Sequence, residues 1–214
     1  MINIKRFCVN VLQENCYVVS DETKECVIID CGAFDENERN AITEYISQEG
    51  LLPKHLLCTH GHLDHNFGID TIFKAYGLWP EVQAGDERLL CDIKQQAIDY
   101  FAMTLDNDFP APVHLLEENE IITYGTHKLQ CIHTPGHTQG SMTFYDEQES
   151  VAFTGDTLFR LSIGRTDLPG GSMFMMINSL RLLSQLPDDT KVYSGHGEPT
   201  SIGYELSKNP YMER

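Results

Sequence analysis

Thr59-His60-Gly61-His62-Leu63-Asp64-His65 is the stretch on which the reading of the fold turns. Three histidines and an aspartate fall within six residues, a density of ligand-type side chains that neither a packed core nor a plain polar turn requires. Imidazole nitrogen and carboxylate oxygen are borderline ligands that suit zinc, iron or manganese. His60 and His62 stand two apart, so an extended chain presents both to one side. Asp64 and His65 follow at once, and a turn there swings them toward a second ion. Residues 54–59 read as a short buried strand. Residues 66–76 read as a helix with Ile69, Ile72 and Phe73 apolar. Strand, loop and helix in this order put the ligands at a strand's carboxyl end, where α/β sheets carry their sites.

Outward from this unit, residues 2–9, 15–20 and 26–30 are rich in Ile, Val, Phe and Tyr and predict consecutive strands. A helix is predicted over 37–49, with Ala41, Ile42, Tyr45 and Ile46 on one face, Asp35 or Asn37 as cap and Gly50 as stop. A second helix over 86–104 runs into the breaker-rich Asn107-Asp108-Phe109-Pro110-Ala111-Pro112, a surface connection beside the site. Strands follow at 120–124, 127–132, 141–146 and 150–154, then a helix over 172–185 and a strand at 190–194. Both strand-rich halves run into helices, which predicts two sheets face to face with helices outside, in one domain over 1–214.

The chain has 214 residues, 41% hydrophobic and 22% charged, and can bury a sizeable core. Its formal net charge of −17 is the outlying global property. So acidic a surface repels phosphate backbones, and no nucleic-acid partner is expected. No run approaches the roughly eighteen apolar residues of a membrane span, and Met1-Ile2-Asn3-Ile4-Lys5-Arg6 does not open a signal peptide. The seven cysteines are odd in number and lack paired spacing, which predicts reduced thiols and a cytoplasmic location. Several, such as Cys58, sit in apolar runs and read as small core residues.

Three further segments place a ligand-type residue after a strand. They are His137 in Thr134-Pro135-Gly136-His137-Thr138, Asp156 in Gly155-Asp156-Thr157-Leu158-Phe159, and His196 in Ser194-Gly195-His196-Gly197. Each has a glycine beside it, which permits close backbone approach around an ion. A lone histidine in such a turn is commonly a hydrogen-bonded structural residue. Four strand-terminal sites of one chemistry are not explained that way.

THGHLDH, PGHT, GDTLF and GHG, in this order and at these separations, resemble the metallo-β-lactamase superfamily. The resemblance runs from Asn15-Cys16-Tyr17 through Asp30 to His196. It implies an α/β fold, the αββα sandwich of the metallo-β-lactamase type, with a dinuclear metal site at one edge. Carried onto this chain, it implies that His60, His62 and His137 hold one divalent ion and that Asp64, His65 and His196 hold a second. Asp156 would bridge the two. Zinc is the expected ion, and iron or manganese would also suit the ligands. Asp30 is expected to hydrogen-bond a ligand histidine rather than bind metal. Two such ions, roughly 3.5–4 Å apart, make hydroxide available near neutral pH and polarise a carbonyl; Asp64 would add a catalytic role by orienting that hydroxide. His55 and His133 match no motif position.

The loop Gly164-Arg165-Thr166-Asp167-Leu168-Pro169-Gly170-Gly171 looks like that of the glyoxalase II-like branch, the hydroxyacylglutathione hydrolases and their single-domain bacterial relatives. This implies cleavage of a small acyl thioester by a metal-bridging hydroxide. In that branch a basic residue of the loop approaches the glutathione moiety, and Arg165 stands at the matching place as the substrate-binding candidate. A guanidinium offers a planar fork to a carboxylate. A structural Arg165–Asp167 pair is the other reading, compatible with the first. The C-terminal helical domain that supplies much of the glutathione contact in two-domain relatives is not expected here, which leaves the thiol half of the substrate open. Tyr211 either covers the site or belongs to a plain surface tail. The sulfur (persulfide) dioxygenase branch shares these motifs but works with one iron on two histidines and an aspartate, here His62 or His60 with His137 and Asp156. Phosphodiester cleavage would want a basic groove, and a non-enzymatic metal protein would be expected to lose ligands or to fill the open coordination position. Oligomeric state is not assigned.

Overall fold

Strands β1 (Asn3–Val9), β2 (Glu14–Ser20) and β3 (Glu25–Ile29) form an antiparallel meander, to which β4 (Leu52–Leu57), β5 (Pro80–Gln83) and β6 (His114–Leu116) add in parallel, giving a sheet of order 1-2-3-4-5-6. The computed structural model describes residues 1–212; of the predicted tail, residues 213 and 214 lie outside the described residues. A second meander comprises β7 (Ile121–Tyr124), β8 (His127–His133), β9 (Met142–Asp146) and β10 (Val151–Gly155). After the small hairpin β11 (Leu158–Phe159) and β12 (Ser162–Ile163), strand β13 (Lys191–Ser194) joins β10 in parallel. Strand β14 (Thr200–Ser201) then closes that sheet's edge.

Period-two alternation sorts the strand side chains into layers. Tyr17, Val19, Val27, Ile29 and Leu57 meet Leu129, Cys131, Phe144, Val151 and Phe153 between the sheets. Their sequence neighbours Cys16, Val18, Cys26, Ile28, Leu56 and Cys58 face the helices on one outside. Those helices are α1 (Glu36–Gln48), α2 (Ile69–Tyr76), α3 (Glu87–Cys91) and α4 (Ile93–Phe101), which contribute Ile42, Ile46, Ile69, Ile72, Leu90, Ile93 and Ala97. On the other outside, α5 (Met173–Leu183) and α6 (Ile202–Lys208) bury Met176, Leu180, Leu183 and Ile202 against Val192 and Leu158. The layers are the expected αββα. Strands buried on both faces explain why their sequence reads as apolar runs, and each fully buried Ile, Leu or Phe contributes about 1.5–3 kcal/mol of transfer free energy.

Asp35 caps α1: its carboxylate accepts from Glu38 N, and the Glu38 carboxylate returns to Asp35 N, the reciprocal capping box. Asn37 lies inside the helix. Glu38 also accepts from Asn10 N, which ties the β1–β2 turn to α1. The predicted helix over 86–104 is instead a 3-10 turn at Ala84–Asp86 followed by α3 and α4, divided at Asp92 and ending at Phe101. Gln96 accounts for part of that geometry, since its amide donates to Leu89 O and Gly61 O and accepts from Leu63 N, fastening both helices to the histidine loop. The breaker-rich segment packs back on the core through Phe109, and Leu105 just before it does the same. All seven cysteines are free thiols; five are buried and Cys8 and Cys91 are exposed. No helix among the described residues is long and apolar enough to cross a membrane.

Candidate metal centre

The loops that follow β4, β8, β10 and β13 meet at one place. The loop after β4 brings His60, His62, Asp64 and His65. The loop after β8 brings His137, Asp156 follows β10 directly, and His196 follows β13. Two groups of ligand atoms result, each lying within 4.8 Å of one another: His60, His62 and His137 in one, Asp64, His65 and His196 in the other. His62 Nδ1 and His137 Nε2 approach to 2.9 Å, and His65 Nε2 and His196 Nε2 to 3.3 Å. Asp156 stands between the groups, with Oδ1 3.3 Å from His65 Nε2 and Oδ2 3.5 Å from His137 Nε2 and 3.7 Å from His196 Nε2. Asp64 Oδ2 is 3.3 Å from His196 Nε2. All seven predicted ligands therefore converge.

The far side of each ring shows which nitrogen is presented. His137 Nδ1 donates to Arg165 O at 2.8 Å and His196 Nδ1 to Leu12 O at 3.0 Å; a carbonyl only accepts, so Nδ1 bears the proton and Nε2 of each ring is the nitrogen turned to the centre. Asp30 does the same for His65, accepting from Nδ1 at 2.9 Å. It also accepts from Thr59 N at 2.7 Å and Thr59 Oγ1 at 2.8 Å, and Thr59 Oγ1 in turn lies 3.1 Å from His60 Nδ1. One buried carboxylate thus orients a histidine in each group. Asp30 adopts φ of +54°, a left-handed conformation that aspartate tolerates better than most residues.

The donor set fits divalent cations on two counts. His60 Nε2 and Asp156 Oδ1 are buried without a hydrogen-bond partner, a cost that a coordinated ion removes. Burial, with the neighbouring imidazoles, pulls His60 well below the ordinary histidine range; burial and His137 hold His62 at about 4, so both rings offer neutral lone pairs near pH 7. In the other group the carboxylates decide. Burial opposes charge on His65, but Asp156, Asp30 and Asp64 together outweigh it and raise its pKa. Burial likewise opposes ionisation of Asp64 and Asp156, and His65 outweighs it, so both carboxylates are held below their usual range. Close packing is built in at Gly195, where any Cβ would collide with Asp156 Oδ1 and His65 Cε1.

The centre floors a cleft of about 460 Å³ walled by Leu12, Leu63, Tyr100, Phe101 and Leu168. Arg165 lines it as well, but its guanidinium is held by Asp167 in a two-point pair with both N–O distances 2.8 Å. The structural pairing read as one alternative from sequence is present. Tyr211 lies outside the cleft lining and is half exposed. His55 and His133 also lie apart from the centre, bonded to Glu81 and Gln139 O.

Several supports were not found from sequence. Asn66 donates to His60 O and His62 O. Asp86 accepts from Gly61 N, Thr138 Oγ1 and Gly140 N, joining the loops of His62 and His137. Asn10 donates to Gly32 O and Asp64 O, and Asn15 to Ser194 O and Gly197 O. Adjacency to the histidine loop was a usable signal for Asn66. Asp86 and Asn10 had none, because each acts on backbone far away in sequence.

The family model of the metallo-beta-lactamase superfamily matches residues 9–196. Hydroxyacylglutathione hydrolase GloC of Haemophilus influenzae is 34% identical to this chain, over 99% of it and 98% of its own length. Among solved structures, BLEG-1 B3 metallo-beta-lactamase superposes with a TM-score of 0.89 at 33% identity, covering 99% of both chains. TTHA1623, solved in a di-iron-bound form, gives 0.86 at 34% identity, covering 97% of this chain and all of its own.

Proposed function

The chain belongs to the metallo-β-lactamase superfamily, and from that premise we propose that it is a metal-dependent hydrolase of small acyl thioesters, hydroxyacylglutathione-like, with two divalent ions in the centre. The observation that carries this is the pair of three-ligand groups sharing Asp156 at the floor of an open cleft. The full-length similarity to a hydroxyacylglutathione hydrolase supports the thioester as substrate class. Zinc is the ion that the nitrogen-rich donor set suits, and the di-iron neighbour makes iron the alternative.

His60, His62 and His137 would hold one ion, Asp64, His65 and His196 the other, with Asp156 touching both. Bound there, such ions supply hydroxide near neutral pH and polarise the thioester carbonyl. Asp30, Thr59, Arg165 O and Leu12 O hold the rings in the tautomers that direct lone pairs inward. Asp64, with one carboxylate edge toward His196, would orient the attacking hydroxide. The thiolate, of intrinsic pKa about 8.5, leaves without a dedicated acid. Leu12, Tyr100, Phe101 and Leu168 line the cleft beside the centre, and Arg165 would face the thiol half.

Parallel assays on the purified protein test this reading. Thioester cleavage without oxygen uptake is expected. Oxygen consumption on a persulfide, without thioester cleavage, would move the protein to the dioxygenase branch of the same superfamily.

A further inference from the structure

Apart from the ions of its floor, the cleft is poor in positive charge. Arg165 is the only lysine or arginine among its lining residues, and Asp167 engages one edge of its guanidinium side-on, Nε to Oδ1 and Nη2 to Oδ2. The two side chains are 60% and 69% exposed, so the pair is formed in water at the cleft rim and not by forced burial. Beyond the residues of the centre the rest of the wall is Leu12, Leu63, Tyr100, Phe101 and Leu168, with Gln96. Around it the whole chain carries −17. A glutathione leaving group presents two carboxylates against one ammonium, and here neither meets a lysine or arginine of the lining that is free of a carboxylate partner. Even with two divalent ions bound the net charge stays strongly negative, and a field of this sign lowers the concentration of anions near the chain.

We propose that the cleft selects thioesters whose thiol half carries no net negative charge, and that Asp167 sets this preference by occupying Arg165. The inference rests on the thioester reading above and names its substrate class. The apolar and aromatic wall takes the uncharged arm of the thiol, while the acyl carbonyl reaches the centre. Replacing Asp167 with a neutral residue releases the guanidinium, whose planar donors then suit a carboxylate.

The test uses two thioesters of the same lactoyl group, one on glutathione and one on N-acetylcysteamine, which has no charge. Wild-type protein is expected to show the higher kcat/KM on the neutral ester. Added salt should raise the value for the glutathione ester and leave the neutral one flat. Asp167→Asn is expected to raise the glutathione-to-neutral ratio by about fivefold, the scale of one exposed ion pair. Calorimetric binding of the uncleavable thioethers S-hexylglutathione and S-hexyl-N-acetylcysteamine reads the same preference without catalysis, and in the wild-type chain. A wild-type preference for the glutathione compounds, or an Asp167→Asn ratio that stays level or falls, overturns the proposal. Failure of the thioester reading shows separately, as cleavage of neither ester, and thioether binding then decides the preference of the cleft by itself.

Discussion

Asp30→Asn is the most informative single change, because isosteric replacement leaves two arrangements and both carry a cost. The native carboxylate accepts three hydrogen bonds, from Thr59 N at 2.7 Å, Thr59 Oγ1 at 2.8 Å and His65 Nδ1 at 2.9 Å. If the asparagine oxygen stays on Thr59 N, its NH2 faces His65 Nδ1. That nitrogen must then give up its proton, and Nε2 becomes N–H where a lone pair is needed. If the amide is turned over, His65 keeps its acceptor but Thr59 N–H is buried without one, at a cost of about 1–3 kcal/mol. Thr59 Oγ1 accepts from as well as donates to its neighbours, so His60 retains its tautomer in either case. The expectation is therefore selective: the ion on Asp64, His65 and His196 weakens about 10–100-fold, or about 1.4–2.8 kcal/mol, and the ion on His60, His62 and His137 is nearly unaffected. Zinc titration against a competing chelator, with circular dichroism to confirm the fold, measures the two affinities. Equal loss of both ions, or unchanged affinity of the second, would refute the assignment of Asp30 as the positioning carboxylate of His65.

Asp64→Ala and His62→Ala are each expected to lower thioester kcat/KM by about 10²–10⁴-fold with the circular dichroism spectrum retained; activity within tenfold of wild type in either would remove that residue from the centre. Gly195→Ala forces a methyl against Asp156 and His65, so it should cost about 1–3 kcal/mol of stability and reduce bound metal, measured by thermal melting and elemental analysis. Unchanged melting and metal content would show that the contact relaxes freely. His127 is buried, which disfavours its charged form, but Glu149 and Asp21 accept from its two ring nitrogens and raise its pKa above the ordinary value. A raised histidine contributes its stabilisation fully below about pH 6.5 and loses it as pH climbs through the folded value. Wild type should therefore exceed His127→Gln by more at about pH 5.5 than at about pH 8.5 in urea melts, and an equal margin at both would contradict the sign.

Ligand positions were legible because a metal centre concentrates rare chemistry at strand ends, and THGHLDH, PGHT, GDTLF and GHG each sit directly after an apolar run. Long strands such as β2 and β10 were legible for the same reason as their burial: both faces are covered, so every residue is constrained. Strands β5 and β6 were not. Pro80-Glu81-Val82-Gln83 and His114-Leu115-Leu116 are short. Their inward positions include Glu81, which binds His55 Nδ1 at 2.7 Å and His114 Nδ1 at 2.6 Å in place of an apolar contact. That polar triplet erases the hydrophobic period from which strands are read. The division of the helix at Asp92 was equally silent, since the fastening is done by Gln96 on backbone groups of the histidine loop about thirty-five residues away. Arg165 stands between: the sequence offered both a substrate contact and the pair with Asp167, and that the pair forms depends on the folded loop.

The central claim, that seven side chains hold two ions, is tested most directly by anomalous diffraction from crystals grown with zinc. The account predicts two peaks per chain, one bonded by His60, His62 and His137, the other by Asp64, His65 and His196, with Asp156 reaching both. A single peak, or a second one away from Asp64, His65 and His196, would contradict it.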